Sequence, residues 1–305
     1  MSGHWFLLCK ISPIVQRNYN LDYCQSKKTQ FHQFLQNCTT REDRARLISC
    51  GGPIAGVWLD AVPVSQNFTL SCVQFRTAAL MRLGASLPVL GNIEKCIPQC
   101  GKDIDNQGYH LLTCKFGGGP IFRHDRYLDN YYNMLREVGF HCHKELMAQF
   151  QNKQRPDIAV YDFHEGKKVL LDITITHPWA QSNISGSSTS AGFAAVEKEK
   201  QKDKKYRETA ESLGHIFCPI AIEAFGRWGP KAEELVTETS KMAPMQLDMP
   251  VGQFKAQWSR HLSVTLQRLN SDIINKRALT IVGKKESGTS GPANLAKREF
   301  SFDFS

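Results

Sequence analysis

Between residues 20 and 48 the chain is polar with scattered apolar positions, Phe31, Phe34, Leu35 and Leu47, a spacing that predicts helices with little core of their own. Gly51-Gly52-Pro53 breaks that pattern. From Ser71 to Leu83, the apolar positions Val73, Ala79, Leu80 and Leu83 can share one buried helical stripe. After Gly117-Gly118-Gly119-Pro120, the residues Leu128, Tyr131, Tyr132, Leu135 and Val138 recur at helical spacing until Gly139, which predicts a helix of about four turns.

From Phe140 the pattern becomes that of strands. β-rich runs at Ile158 to Phe163 and Val169 to Thr176 flank His164-Glu165-Gly166-Lys167, the signature of a hairpin. With Glu165-Gly166 as a two-residue turn, His164 faces Lys167, Ala159 faces Asp172, and Asp157 becomes a diagonal neighbour of Asp172 on one face. A Ser/Gly-rich loop from Ser182 to Gly192, a charged helix to Gly214 and an apolar strand from Ile216 to Ile222 follow. Helices are predicted from Lys231 and around Phe254 to Leu269, whereas the polar stretch from Lys284 predicts a disordered tail. The order helix, hairpin, helix, strand predicts an α/β fold, a mixed sheet flanked by helices. The expected divisions are a helical lead-in (1–90), a cysteine module (91–120), the sheet domain (121–240), a C-terminal helical segment (241–283) and the tail (284–305).

Charge adds a partner class. Lys plus Arg number 38 against 29 for Asp plus Glu, a net +9 that favours a polyanion such as nucleic acid. No apolar run approaches the ~18 residues of a membrane span. The patch Trp5-Phe6-Leu7-Leu8-Cys9 is too short for a signal-peptide core, so a nuclear or cytoplasmic protein is expected, and not a secreted one. Ten cysteines are scattered through the chain, and only Cys96, Cys100 and Cys114 cluster with a histidine, which favours metal binding over a disulfide framework.

The spacing Cys96-x3-Cys100-x9-His110-x3-Cys114 supplies three thiolates and one imidazole, the closed tetrahedral set of structural zinc, with Gly101 and Gly108 letting the loop fold around the ion. Buried, inert cysteines are the alternative. Such a closed set leaves no open position for water, so chemistry is expected elsewhere.

That place is the hairpin. Arg155-Pro156-Asp157 and Asp172-Ile173-Thr174 bring two carboxylates to strand positions, and two acids on an apolar sheet repel unless a cation such as Mg²⁺ joins them. Strand or turn capping is the other use of such aspartates. Lys198, Lys202 and Lys205 share one side of the following helix, where Lys202 precedes Tyr206 by one turn and its stripe continues through Ala210 and Leu213. These lysines either border the metal or form a solvated face. Glu145, on the preceding strand, is a third candidate ligand or an exposed strand carboxylate.

Together these residues resemble the C-terminal region of site-specific non-long-terminal-repeat retrotransposon polyproteins, in which a Cys-Cys-His-Cys motif precedes a restriction-like endonuclease. The similarity covers roughly Leu47 to Val236, in the order Trp58-Leu59-Asp60-Ala61-Val62-Pro63, the zinc residues, Gly117-Gly118-Gly119, Arg123-His124, Arg155-Pro156-Asp157, Asp172-Ile173-Thr174 and Lys202-x-x-Lys205-Tyr206. The resemblance implies a PD-(D/E)xK nuclease fold with Asp157 and Asp172 as magnesium ligands. Thr174 stands where the strand lysine of such nucleases usually lies, and the lysine on the next helix, Lys202 or Lys205, takes over its task. Expected contacts to double-stranded DNA fall on Arg123, His124, Arg155 and Lys198. No polymerase Asp-Asp motif occurs in these 305 residues, so element RNA or a reverse transcriptase on a parent polyprotein is a further expected partner. The expectation is a magnesium-dependent endonuclease that nicks target DNA; the alternative is a catalytically inactive, zinc-dependent DNA-binding remnant.

Overall fold

The computed structural model describes residues 29–91, 93–96, 100–144, 156–164 and 166–287. Glu145 and Arg155 lie outside the described residues, as do residues 288–305 of the expected tail.

A mixed four-stranded sheet organises the chain, in the order β1 (Cys142–Lys144), β2 (Ile158–His164), β3 (Lys167–Thr176), β4 (Ile216–Glu223). The first two pairings are antiparallel and β3 with β4 is parallel. Helix and sheet therefore mix as expected of an α/β chain.

The helices are α1 (29–37), α2 (Arg41–Cys50), α3 (Cys72–Leu83), α4 (Tyr109–Thr113), α5 (Gly119–Glu137), α6 (Ile184–Ser187), α7 (Phe193–Ser212), α8 (Pro230–Ser240), α9 (Ala243–Leu247) and α10 (Val251–Ser287). Gly118, at φ +70°, opens α5 with Pro120 in its first turn, where a proline lacks only an amide that the helix does not use. The helix expected over Leu128 to Val138 thus begins nine residues earlier.

One sheet face presents Ile158, Val160, Leu171, Ile173, Ile220 and Ile222 to α5, α8 and the first half of α10, and these form the main core. On the other face, α7 lays Tyr206 and Ala210 over Ala159, Leu170 and Phe217. Because side chains alternate along a strand, Asp172 shares this second face with Leu170. The last four turns of α10 leave the sheet and pack Ile273, Ile274, Ala278 and Ile281 against Leu111, Leu112 and the cysteine module.

Four local expectations need correction. The hairpin pairs His164 with Lys167 as expected, but Ala159 opposes Leu170, not Asp172. An irregularity between Val160 and His164, with Asp162 at φ +55°, moves the register by two residues. In α3 the buried residues are Thr77, Ala78 and Met81, while Val73 and Leu83 face solvent. Polar contacts with α10 decide that choice: Gln74 bonds Asp272 at 2.9 Å and Asn275 donates to Thr77 at 3.1 Å. The Ser/Gly-rich loop contains the short helix α6. Finally, residues 284–287 continue α10 and are not part of a disordered tail, since Ile281, buried against the cysteine module, carries the helix past Gly283.

Candidate functional site

Two clusters of side chains suited to chemistry stand out among the described residues. In the first, Cys96 and Cys100 sit on a tight turn closed by amides of Cys100 and Gly101 donating to the Cys96 carbonyl, at 3.1 and 2.9 Å. Gly101 takes φ +66° and Gly108 φ +81°, backbone that a side chain would strain, which explains both glycines. His110 is held by its own helix: the Asp105 carboxylate accepts from the amides of Gln107, Tyr109 and His110 at 3.1, 2.9 and 2.7 Å and so caps α4.

The ligand atoms of Cys96, Cys100, His110 and Cys114 all lie within 4.8 Å of one another. Cys114 Sγ is 4.0 Å from Cys96 Sγ and 3.8 Å from Cys100 Sγ, and His110 Nε2 is 3.2 Å from Cys100 Sγ. Tetrahedral zinc with ~2.3 Å Zn–S bonds separates its sulfurs by ~3.8 Å, so the cluster is compatible with zinc. Burial keeps His110 below its usual pKa, hence neutral as a ligand must be. Burial also pushes the Cys96 thiol up to about 11, so a cation is what would make it a thiolate at neutral pH.

The second cluster lies where β2 begins beside the middle of β3. Asp172 is 5% exposed and Asp157 precedes β2 directly across from it. The Ile173 amide donates to Asp157 Oδ2 at 2.6 Å, and His124, from the first turns of α5, brings its Nε2 to 3.3 Å from that oxygen and 3.0 Å from the Ile173 carbonyl. An Nε2 flanked by two acceptors carries the proton. The Asp157 hydrogen bond is the main cause that raises His124 to about 9, with Asp125 at 3.0 Å from Nδ1 adding to it. Lys202 reaches from α7 to Asp172, 2.9 Å from Oδ1 and 2.8 Å from Oδ2. Burial still raises the Asp172 pKa, opposed by Lys202 and reinforced by Asp157.

The sequence-derived residues separate into two groups here. Asp157, Asp172, Lys202 and His124 come together. Lys205 is exposed with its Nζ 4.7 Å from the Tyr206 ring centre, and Lys198 is half-buried one turn before Lys202. Arg123 was expected to contact nucleic acid, and that expectation is corrected: it is 5% exposed, its guanidinium donating to Asn270 Oδ1 at 2.7 Å and to the Leu112 carbonyl at 3.3 Å. Being one residue before His124 on a helix turns its side chain about 100° away, into the contact with α10.

Other participants escaped sequence reasoning. On the same sheet face, Tyr161 packs against the Ala159 and Leu170 cluster, with Lys168 Nζ 4.9 Å from its ring centre. His141 and His143 both meet the Tyr161 ring edge-on, their Nε2 atoms 2.9 Å apart. The only sequence signal was alternation, His141-x-His143 on a strand. Glu199, buried on α7, accepts from the amides of Ala221 and Lys231 at 3.3 and 3.4 Å and tethers α7 to β4 and α8.

No helix of the described residues is long and apolar enough to cross a membrane. No protein-family model matches the chain, and no curated protein matches it.

Proposed function

We propose that this chain is a metal-dependent endonuclease of the restriction-like PD-(D/E)xK kind, acting on double-stranded DNA beside a zinc-stabilised Cys-Cys-His-Cys module. The observation that carries the proposal is the meeting of Asp157, Asp172 and Lys202 beside the middle of β3 in a mixed sheet. A buried carboxylate with a second one beside it favours protonation unless cations are present, and here a lysine from another element supplies part of that charge. The donor set fits magnesium, which takes one or two carboxylates and keeps room for water and phosphate. When bound, Mg²⁺ would neutralise charge on the scissile phosphate and acidify a water.

The protein's own groups then have separate tasks. Lys202 brings its Nζ, beside Asp172, to where phosphate charge would develop. His124 and the Ile173 amide fix the Asp157 carboxylate through Oδ2 and leave Oδ1 for a ligand. The Thr174 hydroxyl, on the strand position that a lysine occupies in most such nucleases, lies 3.4 Å from Asp172 Oδ2. Along the same face, Lys205, Lys168, His141 and His143 surround Tyr206 and Tyr161, a basic and aromatic strip suited to a phosphate backbone. By the resemblance drawn above, hydrolysis would leave a 3′-hydroxyl in a nicked target, the primer for copying an element's RNA.

Supercoiled plasmid incubated with the protein and Mg²⁺ tests this reading. Nicking that disappears in Asp172→Ala and Asp157→Ala is expected. DNA binding with no cleavage by the wild type would overturn it in favour of a non-catalytic DNA-binding module.

A further inference from the structure

Arg277 is an anomaly in the second half of α10. It is 8% exposed, its Nε has no partner, and its one hydrogen bond among the described residues runs from Nη2 to Cys96 Sγ at 3.2 Å. A guanidinium stays charged at any pH a protein meets, and burying one without an anion is strongly unfavourable. No carboxylate pairs with it among the described residues; what its guanidinium meets is the Cys96 sulfur of the Cys-Cys-His-Cys cluster.

A divalent ion changes that balance. Three thiolates and a neutral imidazole around a 2+ ion leave a net charge of −1, which a single guanidinium cancels. The contact falls on Cys96, the fully buried sulfur, where excess negative charge is hardest to solvate. Gly117 makes room for it: at φ +82° a Cβ there would collide with Arg277 Nη1. The positive φ by itself calls for glycine at 117, and a side chain there would in addition push the guanidinium end of Arg277 aside.

We propose that Arg277 is the counter-charge of an anionic three-thiolate, one-imidazole divalent-metal centre, and that it couples metal binding to docking of the last four turns of α10. The inference rests on the zinc reading of the Cys-Cys-His-Cys cluster. Arg277 is a positioning residue: it touches a ligand sulfur, holds Cys96 as a thiolate, and joins Ile273, Ile274 and Ile281 in pinning α10 to the module. Loss of the metal takes away the centre that Arg277 faces, and α10 then releases from the module.

The test uses the full chain loaded with zinc, wild type beside Arg277→Gln and Arg277→Lys, and follows zinc transfer to a chromophoric chelator. Outer-shell partners of metal ligands are typically worth ~10- to 100-fold in affinity, so Arg277→Gln should release zinc about that much faster, with Arg277→Lys in between. Equal release from all three overturns the role of Arg277 while the zinc site stands; a wild type that binds no zinc overturns the zinc reading itself. Hydrogen exchange on the wild type alone provides a second measurement that needs no variant to fold. Amides of residues 273–282 should exchange faster once zinc is stripped, and unchanged protection would overturn the coupling.

Discussion

Lys202 Nζ lies within hydrogen-bond distance of both oxygens of Asp172, 2.9 and 2.8 Å, although thirty positions and a change of element separate them. Asp172 fills the centre of a strand and is nearly covered, whereas Lys202 comes down from α7 with its side chain one quarter exposed. Lys205, three residues on, points away and rests on Tyr206.

That difference makes the two lysines separable. Lys202→Ala should reduce nicking at saturating DNA by about 100-fold or more, as loss of a group acting on transition-state charge does, and leave DNA affinity within about twofold. Lys205→Ala should weaken binding and leave the saturated rate intact. Plasmid nicking and fluorescence anisotropy on both variants decide it; the reverse pattern would exchange the two roles, and unchanged cleavage in both would remove the helix lysine from the mechanism.

How much of this was legible in the chain follows from the range of each signal. Cys96, Cys100, His110 and Cys114 lie within nineteen residues, so spacing alone announced their meeting. The hairpin that joins Asp157 to Asp172 was equally local, but its register was not: Asp162 in the left-handed region shifts the pairing, and aspartate gives little warning of that conformation. Arg123 illustrates the opposite case. A basic residue in a basic chain reads as a phosphate contact until Asn270, 147 residues away, is seen to accept from it. The inward face of α3 was misjudged for the same reason, since its partners Ser271, Asp272 and Asn275 belong to a helix that begins 168 residues beyond the end of α3.

The cap on α4 offers a stability prediction. Asp105 satisfies three amides at the start of the helix that carries His110. Asp105→Ala should cost about 1 to 2 kcal/mol in urea unfolding and speed zinc loss, while Asp105→Asn, which keeps one acceptor oxygen, should retain part of both. Identical unfolding curves for Asp105→Ala and wild type would show that the cap contributes nothing.

His177 supplies a pH dependence. It is enclosed by Tyr109, Trp179 and Phe225, and its Nδ1 accepts from the Trp179 amide at 3.1 Å, so the neutral ring with Nε2–H is the folded form. Burial depresses its pKa from the ordinary 6.5 to about 3. Between those values the unfolded chain binds the proton and the folded chain does not, so stability falls as pH drops below 6.5. The slope from this one group approaches ~1.4 kcal/mol per pH unit. Urea midpoints between pH 5 and 7 should therefore decline for wild type and decline less for His177→Asn. Parallel declines would assign the acid sensitivity to other groups.

The strip around Tyr161 yields the last prediction, because in the proposed endonuclease it would separate holding DNA from cutting it. His141, His143 and Lys168 converge on the Tyr161 ring on the face that carries Asp172; the two histidines belong to β1, two strands from β3, and Lys168 lies on β3 four residues before Asp172, about 13 Å along the strand. Groups displaced along the face in this way can contact phosphates of a strand leading away from the cleavage point without touching the reacting atoms. Each phosphate contact removed lowers the slope of log affinity against log salt by about 1. Lys168→Ala should therefore flatten the salt dependence by roughly that amount, weaken binding to unrelated duplexes equally, and leave the nicking rate at saturating DNA unchanged. The paired substitution His141→Ala with His143→Ala should act in the same direction, and Asp172→Ala should do the opposite, abolishing cleavage with the salt slope intact. A Lys168→Ala protein whose affinity and slope both match the wild type would place the DNA path elsewhere on the molecule, leaving the carboxylates and Lys202 to be judged by cleavage alone.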